Sequence, residues 1–360
     1  MDHIARSYRR RFPEHRVYLL ELEHADSLCD TSMDSFCDEA ALREDLLRHK
    51  RQGCVLDGIT YAALSYADEA RLRDTLTSFF AEAHLTPFNT VVILFPILSE
   101  WHAVSDIVTP FPLIVDVVDN QIAWAMAEDS RCRVLEQYYG LLAHAGHVVF
   151  NAKPNMDFFS TSLMLGKEAQ AQCIPNWYTL PDDFTYVPAP LHDGFFHLWY
   201  SGNMNDRVDW ELLRAIAAQR HVRLHLAGTA SRCMDELRGL LANKSVIYHG
   251  VITERETLAL LQCMDAAIVP HLVNRVSRYM DPLKIRMYAA VGLPTLCPPH
   301  LGGGVETVRH YGSRENCVQL LGSLASQAGQ RHAPSAQADS NENAYMELVA
   351  SVRPIPPTTA

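Results

Sequence analysis

The sequence predicts an α/β protein of two doubly wound, parallel-sheet domains facing each other across a cleft. Three observations lead there. At 360 residues the chain is long enough for roughly two domains at about 150 residues each. Short, continuous β-branched runs alternate with longer stretches of helical period, the pattern of strands covered on both faces. A proline-rich joint at 181–194, carrying Pro181, Pro188, Pro190 and Gly194, separates two such series and marks a domain connector.

In the first series, residues 17–22 read as a strand and 70–83 as a helix with Leu72, Leu76, Phe79 and Phe80 on one face. The runs 91–95 and 113–117 have strand length and no alternation. A helix over about 130–145 leads into a strand at 147–150, a short helical stretch follows Pro154, and Ile174-Pro175-Asn176 reads as a turn. The second series predicts strands at 196–200, 222–227, 246–249, 266–269 and 294–297. Helices at 209–219, 233–241, 253–264 and about 282–291 lie between them. Residues 323–343 read as a helix end and a mobile loop, 344–352 as a short helix, and 354–360 as a tail. No internal repeat is visible.

Composition narrows the function classes. Lys and Arg number 31 against 42 Asp and Glu, a net charge of −11, the wrong sign for a general nucleic-acid binder. The nine cysteines are scattered with no C-x-x-C pair, so neither a zinc ribbon nor a redox dithiol is expected, and a reducing, cytoplasmic setting suits them. No apolar run approaches the roughly 18–20 residues of a membrane span. Arg6, Arg9, Arg10, Arg11 and Arg16 stand against Asp2 and Glu14 near the start. That segment is read either as a contact for anionic lipid at the inner face of a membrane or as a solvated helix.

The most informative segment runs from Asn274 to Pro294. A polar loop ends at Asp281, an N-cap candidate, and Pro282 suits the first helical turn. Lys284 then sits where the helix dipole disfavours a cation. An anionic ligand at the helix N-terminus resolves that conflict, and a solvated lysine is the alternative.

This segment resembles the donor-site helix of bacterial glycosyltransferases of the GT-B fold, with its Pro282-Leu283-Lys284, Tyr288, Ala290 and Gly292-Leu293-Pro294. Tyr200-Ser201-Gly202-Asn203 through Arg207 is similar to the opening strand and glycine loop of their donor domain, Tyr248-His249-Gly250 to the turn near the nucleotide base, and Asp265 through Pro270 to a later strand. In the first half, Asp116 and Asp119, the strand 147–151 and Pro175-Asn176 resemble the subgroup that builds cell-surface polysaccharides. The likeness covers about 110–300 and is firmest over 196–298.

The resemblance implies two Rossmann-like domains: residues 1–185 bind the acceptor, with 340–360 packing back on them, and 186–339 bind a nucleotide-diphosphate sugar such as a UDP-sugar. It places Gly202, Asn203, Arg207, Tyr248, His249, Gly250, Arg275, Ser277, Asp281, Pro282, Leu283, Lys284 and Tyr288 at the donor. The acceptor is a glycan or a lipid-linked glycan. Retaining members carry two glutamates on the donor helix where this chain has Tyr279 and Met287. Lys284 with Tyr288 is instead similar to an inverting glucuronosyltransferase.

An inverting transfer needs one base near the acceptor hydroxyl. Asp116 and Asp119 end a continuous apolar run, where partial desolvation raises a carboxyl pKa, and one of them is the candidate. The other reading makes Asp119-Asn120 the cap of a helix over 121–127. No Asp-x-Asp triplet occurs, and His144, His147, His221 and His225 lack partners at ligand spacing, so no metal and no other cofactor is expected. Gly302-Gly303-Gly304 lacks the spacing of a phosphate loop and reads as a turn before a helix at 305–310. Two rival readings remain: a nucleotide-sugar epimerase or phosphorylase of the same fold, which product analysis separates, and a partner subunit without turnover, which donor hydrolysis separates.

Overall fold

In the computed structural model, residues 2–24, 54–56, 58–95, 101–124, 127–162, 165, 169–181, 183–230, 233–326 and 337–352 are described. The chain divides into two compact units, Met1–Pro175 with Asn341–Ala360, and Asn176–Ser340. The division falls ten residues ahead of the joint expected at 185. Asn176 hydrogen-bonds Asp281, and Tyr178 is buried in a core of the second unit.

The first unit begins with helix α1 (Asp2–Arg11) and strand β1 (Val17–His24). Strands β2 (Cys54–Leu56) and β3 (Ile59–Tyr66), which the sequence reading left unassigned, join β1 in a three-stranded sheet of order β1-β3-β2. Strands β2 and β3 pair antiparallel with Leu56 opposite Ile59, and Gly58 just before β3 has φ +77°, a left-handed conformation that glycine adopts without strain. Helix α2 (Glu69–Glu82) starts at Asp68, whose carboxylate accepts the Arg71 N–H.

A second sheet is fully parallel, with order β4 (Val92–Leu94), β5 (Leu113–Val117), β6 (His147–Phe150) and β7 (Gln170–Cys173). Every residue of β5 is buried. That is why its sequence shows a continuous run and no alternation. Between the strands lie α3 (Trp101–Val108), α4 (Gln121–Trp124), α5 (Glu128–His144) and α6 (Lys153–Thr161). Asn120 caps α4, its side-chain oxygen accepting the Ala123 N–H. The cap expected of the Asp119-Asn120 pair is therefore the amide.

The second unit holds one six-stranded parallel sheet. Its strands are β8 (Phe196–Ser201), β9 (Val222–Ala227), β10 (Val246–Tyr248), β11 (Ala266–Ile268), β12 (Thr295–Cys297) and β13 (Val308–His310). Spatially they run β10-β9-β8-β11-β12-β13. The order reverses between β8 and β11, the switch point at which doubly wound sheets bind ligands beyond their carboxyl ends. Helices α7 (Trp210–Ala217), α8 (Met234–Leu241), α9 (Glu254–Leu261) and α10 (Leu283–Ala290) connect these strands, and α11 (Arg314–Ala325) follows.

The sheet has a core on each face. Leu198, Tyr200, Leu224 and Leu226 pack with α7 and α8, and Trp199, Ala227 and Ala267 pack with α9 and α10. Val308-Arg309-His310, expected in a helix, instead pairs as an edge strand with Thr295-Leu296-Cys297. A buried partner strand outweighs a weak local helical preference over three residues.

The last helix, α12 (Gln337–Ser351), begins seven residues earlier than the helix expected at 344. It belongs mostly to the first unit, with Tyr345 and Met346 each 1% exposed. Of the segment 323–343, expected to hold a loop, residues 327–336 lie outside the described residues, as does the tail expected at 354–360. On α1, Arg10 faces Glu342 at 3.6 Å and Arg11 donates to Asn343 at 2.7 Å, so two arginines of the basic segment meet α12. Among the described residues, no helix is long and apolar enough to cross a membrane.

Candidate active site

The turns after β8, β9 and β10 each need a glycine. Gly202, Gly228 and Gly250 have φ of +138°, +113° and +71°. A Cβ on Gly228 would fall 2.2 Å from the Gly202 carbonyl oxygen, and one on Gly202 would fall 2.2 Å from Lys284 Nζ. The Gly228 N–H donates to the Gly250 carbonyl at 2.7 Å, and the Tyr248 hydroxyl donates to the Gly228 carbonyl at 2.6 Å. The three turns are thus stitched into one rim with Lys284 seated against it.

Lys284 lies in the first turn of α10, its ammonium 4.8 Å above the Tyr200 ring. The residue keeps some exposed surface, yet protein atoms surround its ammonium, and this burial, with the Arg207 charge beside it, pushes its pKa down to about 7. No carboxylate pairs with it among the described residues. Arg207 is held by Asn205, whose side-chain oxygen takes both its N–H and its Nε–H at 3.0 and 3.1 Å. The loop carrying Arg207 is tied to the end of β11 by the Val208–His271 bridge and by Leu272 N–H donating to the Arg207 carbonyl.

His271 is 5% exposed, its Nδ1 is buried without a partner, and burial with the Lys284, Arg207 and His300 charges holds it neutral. Both ring nitrogens of His300 are also buried and unpartnered. An ammonium with no carboxylate partner among the described residues, a guanidinium beside it and orphaned imidazole nitrogens gather at this rim, a setting that suits an anion. The helix N-terminus adds to it.

Other residues implicated by the sequence shape this site rather than line it. Asp281 does not cap α10, because Pro282 occupies the N-cap position. Its carboxylate instead pairs with Arg286 at 3.0 and 3.2 Å, both side chains under 10% exposed, and accepts the Asn176 N–H. Ser277 is fully buried, donating to the Leu272 carbonyl and accepting the Asn274 N–H. The Tyr288 hydroxyl bonds the Ser201 backbone and side chain at 3.1 and 3.0 Å, clamping the end of β8 to α10. Leu283, Tyr248 and His249 are half-buried, and Asn203 and Arg275 are exposed.

In the first unit, Asp116 is 4% exposed and its Oδ2 accepts the Tyr345 hydroxyl at 2.8 Å. Burial pushes its carboxyl up to about 6 against that hydrogen bond. Asp119 is half-buried, and its carbonyl accepts the Tyr138 hydroxyl at 2.9 Å. Nearby at the ends of β5 and β6, Asn120, Asn151 and Asn155 each keep one buried, unpartnered side-chain atom. Among the described residues, no group of three His, Cys, Asp or Glu is arranged to hold a metal ion. The sequence reading missed His271, Gly228 and Tyr345. Glycine and histidine at loop positions carry no periodic signal, and Tyr345 meets Asp116 from 229 residues away.

No protein-family model matches the chain. No curated protein matches it either. Solved structures do. A trehalose-6-phosphate synthase, OtsA, matches with a TM-score of 0.62 at 12% identity, covering 94% of this chain and 98% of that one. Anabaena HepE, in complex with UDP and glucose, gives 0.59 at 13%, covering 93% and 100%. A UDP-forming trehalose-phosphate synthase from Burkholderia xenovorans gives 0.59 at 12%, covering 94% and 99%. The chain has the GT-B fold, that of glycosyltransferases with two Rossmann-like domains.

Proposed function

We propose that this protein is a glycosyltransferase that takes a sugar from a nucleotide diphosphate, of the UDP-sugar type, and passes it to a glycan or lipid-linked acceptor in surface polysaccharide or glycoconjugate synthesis. The observation that carries this reading is the buried Lys284 ammonium without a carboxylate partner, set against Gly202 at the switch point of the sheet. A diphosphate supplies the missing charge. As the acceptor hydroxyl bonds to the anomeric carbon and the bond to the diphosphate breaks, Lys284 and Arg207 stabilise the negative charge gathering on the leaving group. Such preorganised electrostatics is worth about 2–4 kcal/mol per donor. The acceptor proton passes to Asp119. Work on a lipid-linked acceptor suits a cytoplasmic protein that touches the membrane surface through α1.

Calorimetric titration with UDP tests the anion site. Lys284 must be charged to bind phosphate, so above about pH 7 each binding event takes up a proton. Affinity is expected to fall by up to about tenfold per pH unit between about 7.5 and 9. A pH-independent affinity over that range, or no binding, removes Lys284 from the diphosphate.

Metal independence is part of the same proposal, resting on the fixed cations of the site and the missing Asp-x-Asp. Excess chelator is expected to leave the transfer rate within about twofold, less than half a kcal/mol. A rate abolished by chelator and restored by magnesium or manganese contradicts it.

A further inference from the structure

Four side chains of the second unit form a single file of hydrogen bonds. Asp193 Oδ1 lies 3.0 Å from His197 Nε2, His197 Nδ1 lies 2.9 Å from His225 Nε2, and His225 Nδ1 lies 3.0 Å from His249 Nε2. His197 and His225 are 2% and 5% exposed, and the His225 and His249 rings stack with a 12° tilt. Trp199 pairs with His225 and Tyr248 with Leu226 in the sheet register. The file therefore climbs from the amino end of β8 to the turn after β10.

For three neutral imidazoles, the polarity of this file is set by its first member. A neutral imidazole has one donating and one accepting nitrogen, whereas a carboxylate only accepts. Burial holds His225 and His249 neutral, and the His197 hydrogen bond keeps Asp193 ionised. His197 then donates Nε2–H to Asp193 and accepts at Nδ1 from His225 Nε2–H. In turn His225 accepts at Nδ1 from His249 Nε2–H. The last nitrogen, His249 Nδ1, carries no hydrogen and makes no hydrogen bond among the described residues.

We propose that Asp193, acting through His197 and His225, locks His249 as its Nε2–H tautomer, so that His249 Nδ1 is a fixed acceptor that selects a nucleobase with a ring N–H, of the uracil type, over one with a bare ring nitrogen, of the cytosine type. His249 adjoins Gly250, which is bonded to Gly228, which backs onto Gly202 and so onto Lys284. Two strand spacings of about 4.8 Å separate the turn after β10 from the turn after β8, comparable with the reach of a nucleoside from its diphosphate. A nucleotide with its phosphates at Lys284 carries its base along this rim toward His249. The lock resembles other cases in which an outer carboxylate sets the tautomer of a working imidazole. Asp193, His197 and His225 are positioning residues here. The inference rests on the nucleotide-binding reading above.

Two measurements on the full-length protein test it. Long-range proton–nitrogen correlation spectra near neutral pH, without ligand, are expected to show His249 protonated at Nε2 and bare at Nδ1. Asp193→Ala, at an exposed position, is expected to lose that single tautomer. In calorimetry the wild type is expected to bind UDP about tenfold or more tightly than CDP, since a site built for a donor rejects its absence. Both Asp193→Ala and His249→Phe are expected to bring the two affinities within about threefold. If His249→Phe fails to fold, Asp193→Ala alone decides. A hydrogen on His249 Nδ1, or an unchanged UDP-to-CDP ratio in a folded variant, overturns the inference while UDP binding stands. Failure of the wild type to bind UDP at all overturns the nucleotide reading, and the base selection with it.

Discussion

Lys284→Met is expected to lower turnover by about 30- to 1,000-fold, the loss of one electrostatic donor to a leaving group, roughly 2–4 kcal/mol. Methionine retains an unbranched stem over Tyr200 and removes only the charge. Because the ammonium is desolvated and has no carboxylate partner, its removal does not strand a counter-ion, and the fold is not expected to weaken at neutral pH. The sign of the pH dependence follows from the lowered pKa. The unfolded chain holds this proton up to the ordinary lysine range, and the folded one gives it up near 7. The wild type therefore gains stability as pH rises from about 7 toward 10, and Lys284→Met lacks that gain. Kinetics with a UDP-sugar and melting curves across pH check both parts. Near-normal turnover in the variant excludes Lys284 from the chemistry. Arginine is no substitute, since Nζ already occupies the space that a Cβ on Gly202 would need.

The second large effect concerns the two aspartates of the first unit, which the structure gives different surroundings. Asp116 is enclosed under Tyr345, leaving little access for an acceptor hydroxyl, so half-buried Asp119 is the base in the proposed function. Asp119→Asn is expected to lose about 100- to 10,000-fold in rate with UDP affinity intact, the range of a general base. Asp116→Asn is expected to act on stability. Its carboxyl, raised to about 6 by burial, ionises in the folded protein at a cost that the unfolded chain does not bear. Stability is thus lost as pH rises from about 4 to about 6 and stays lost above. The amide still accepts the Tyr345 hydroxyl and avoids that cost. The variant should gain up to about 3 kcal/mol at neutral pH and nothing below about pH 4. Full activity in Asp119→Asn, or a pH-independent effect of Asp116→Asn, reverses these assignments.

Much of this molecule is written locally. Residues 113–117 and 222–227 are read as strands and are β5 and β9, since a strand covered on both faces is apolar at most of its positions. The helix over 283–290 follows from its proline start, and Lys284 stands out at its first turn because a cation there conflicts with the dipole unless an anion is bound. Asp281 looks like a cap by position, yet it is drawn to Arg286 and to Asn176, 105 residues away. The segment 308–310 looks helical until a parallel neighbour claims it.

By itself, then, the sequence determined the two α/β series, most of the described strands to within two residues, and Lys284 as a cation whose place conflicts with the helix dipole. All of these are set by hydrophobic period, capping and dipole effects within a few residues. Only the tertiary structure decided the strand order that makes a switch point beside Lys284, the Tyr345 cover on Asp116, and the file from Asp193 to His249. Members of that file are 4, 28 and 24 residues apart in sequence. No local energy specifies such partners, because they are chosen by which strands pair and in what register, and that choice depends on burying the whole sheet at once.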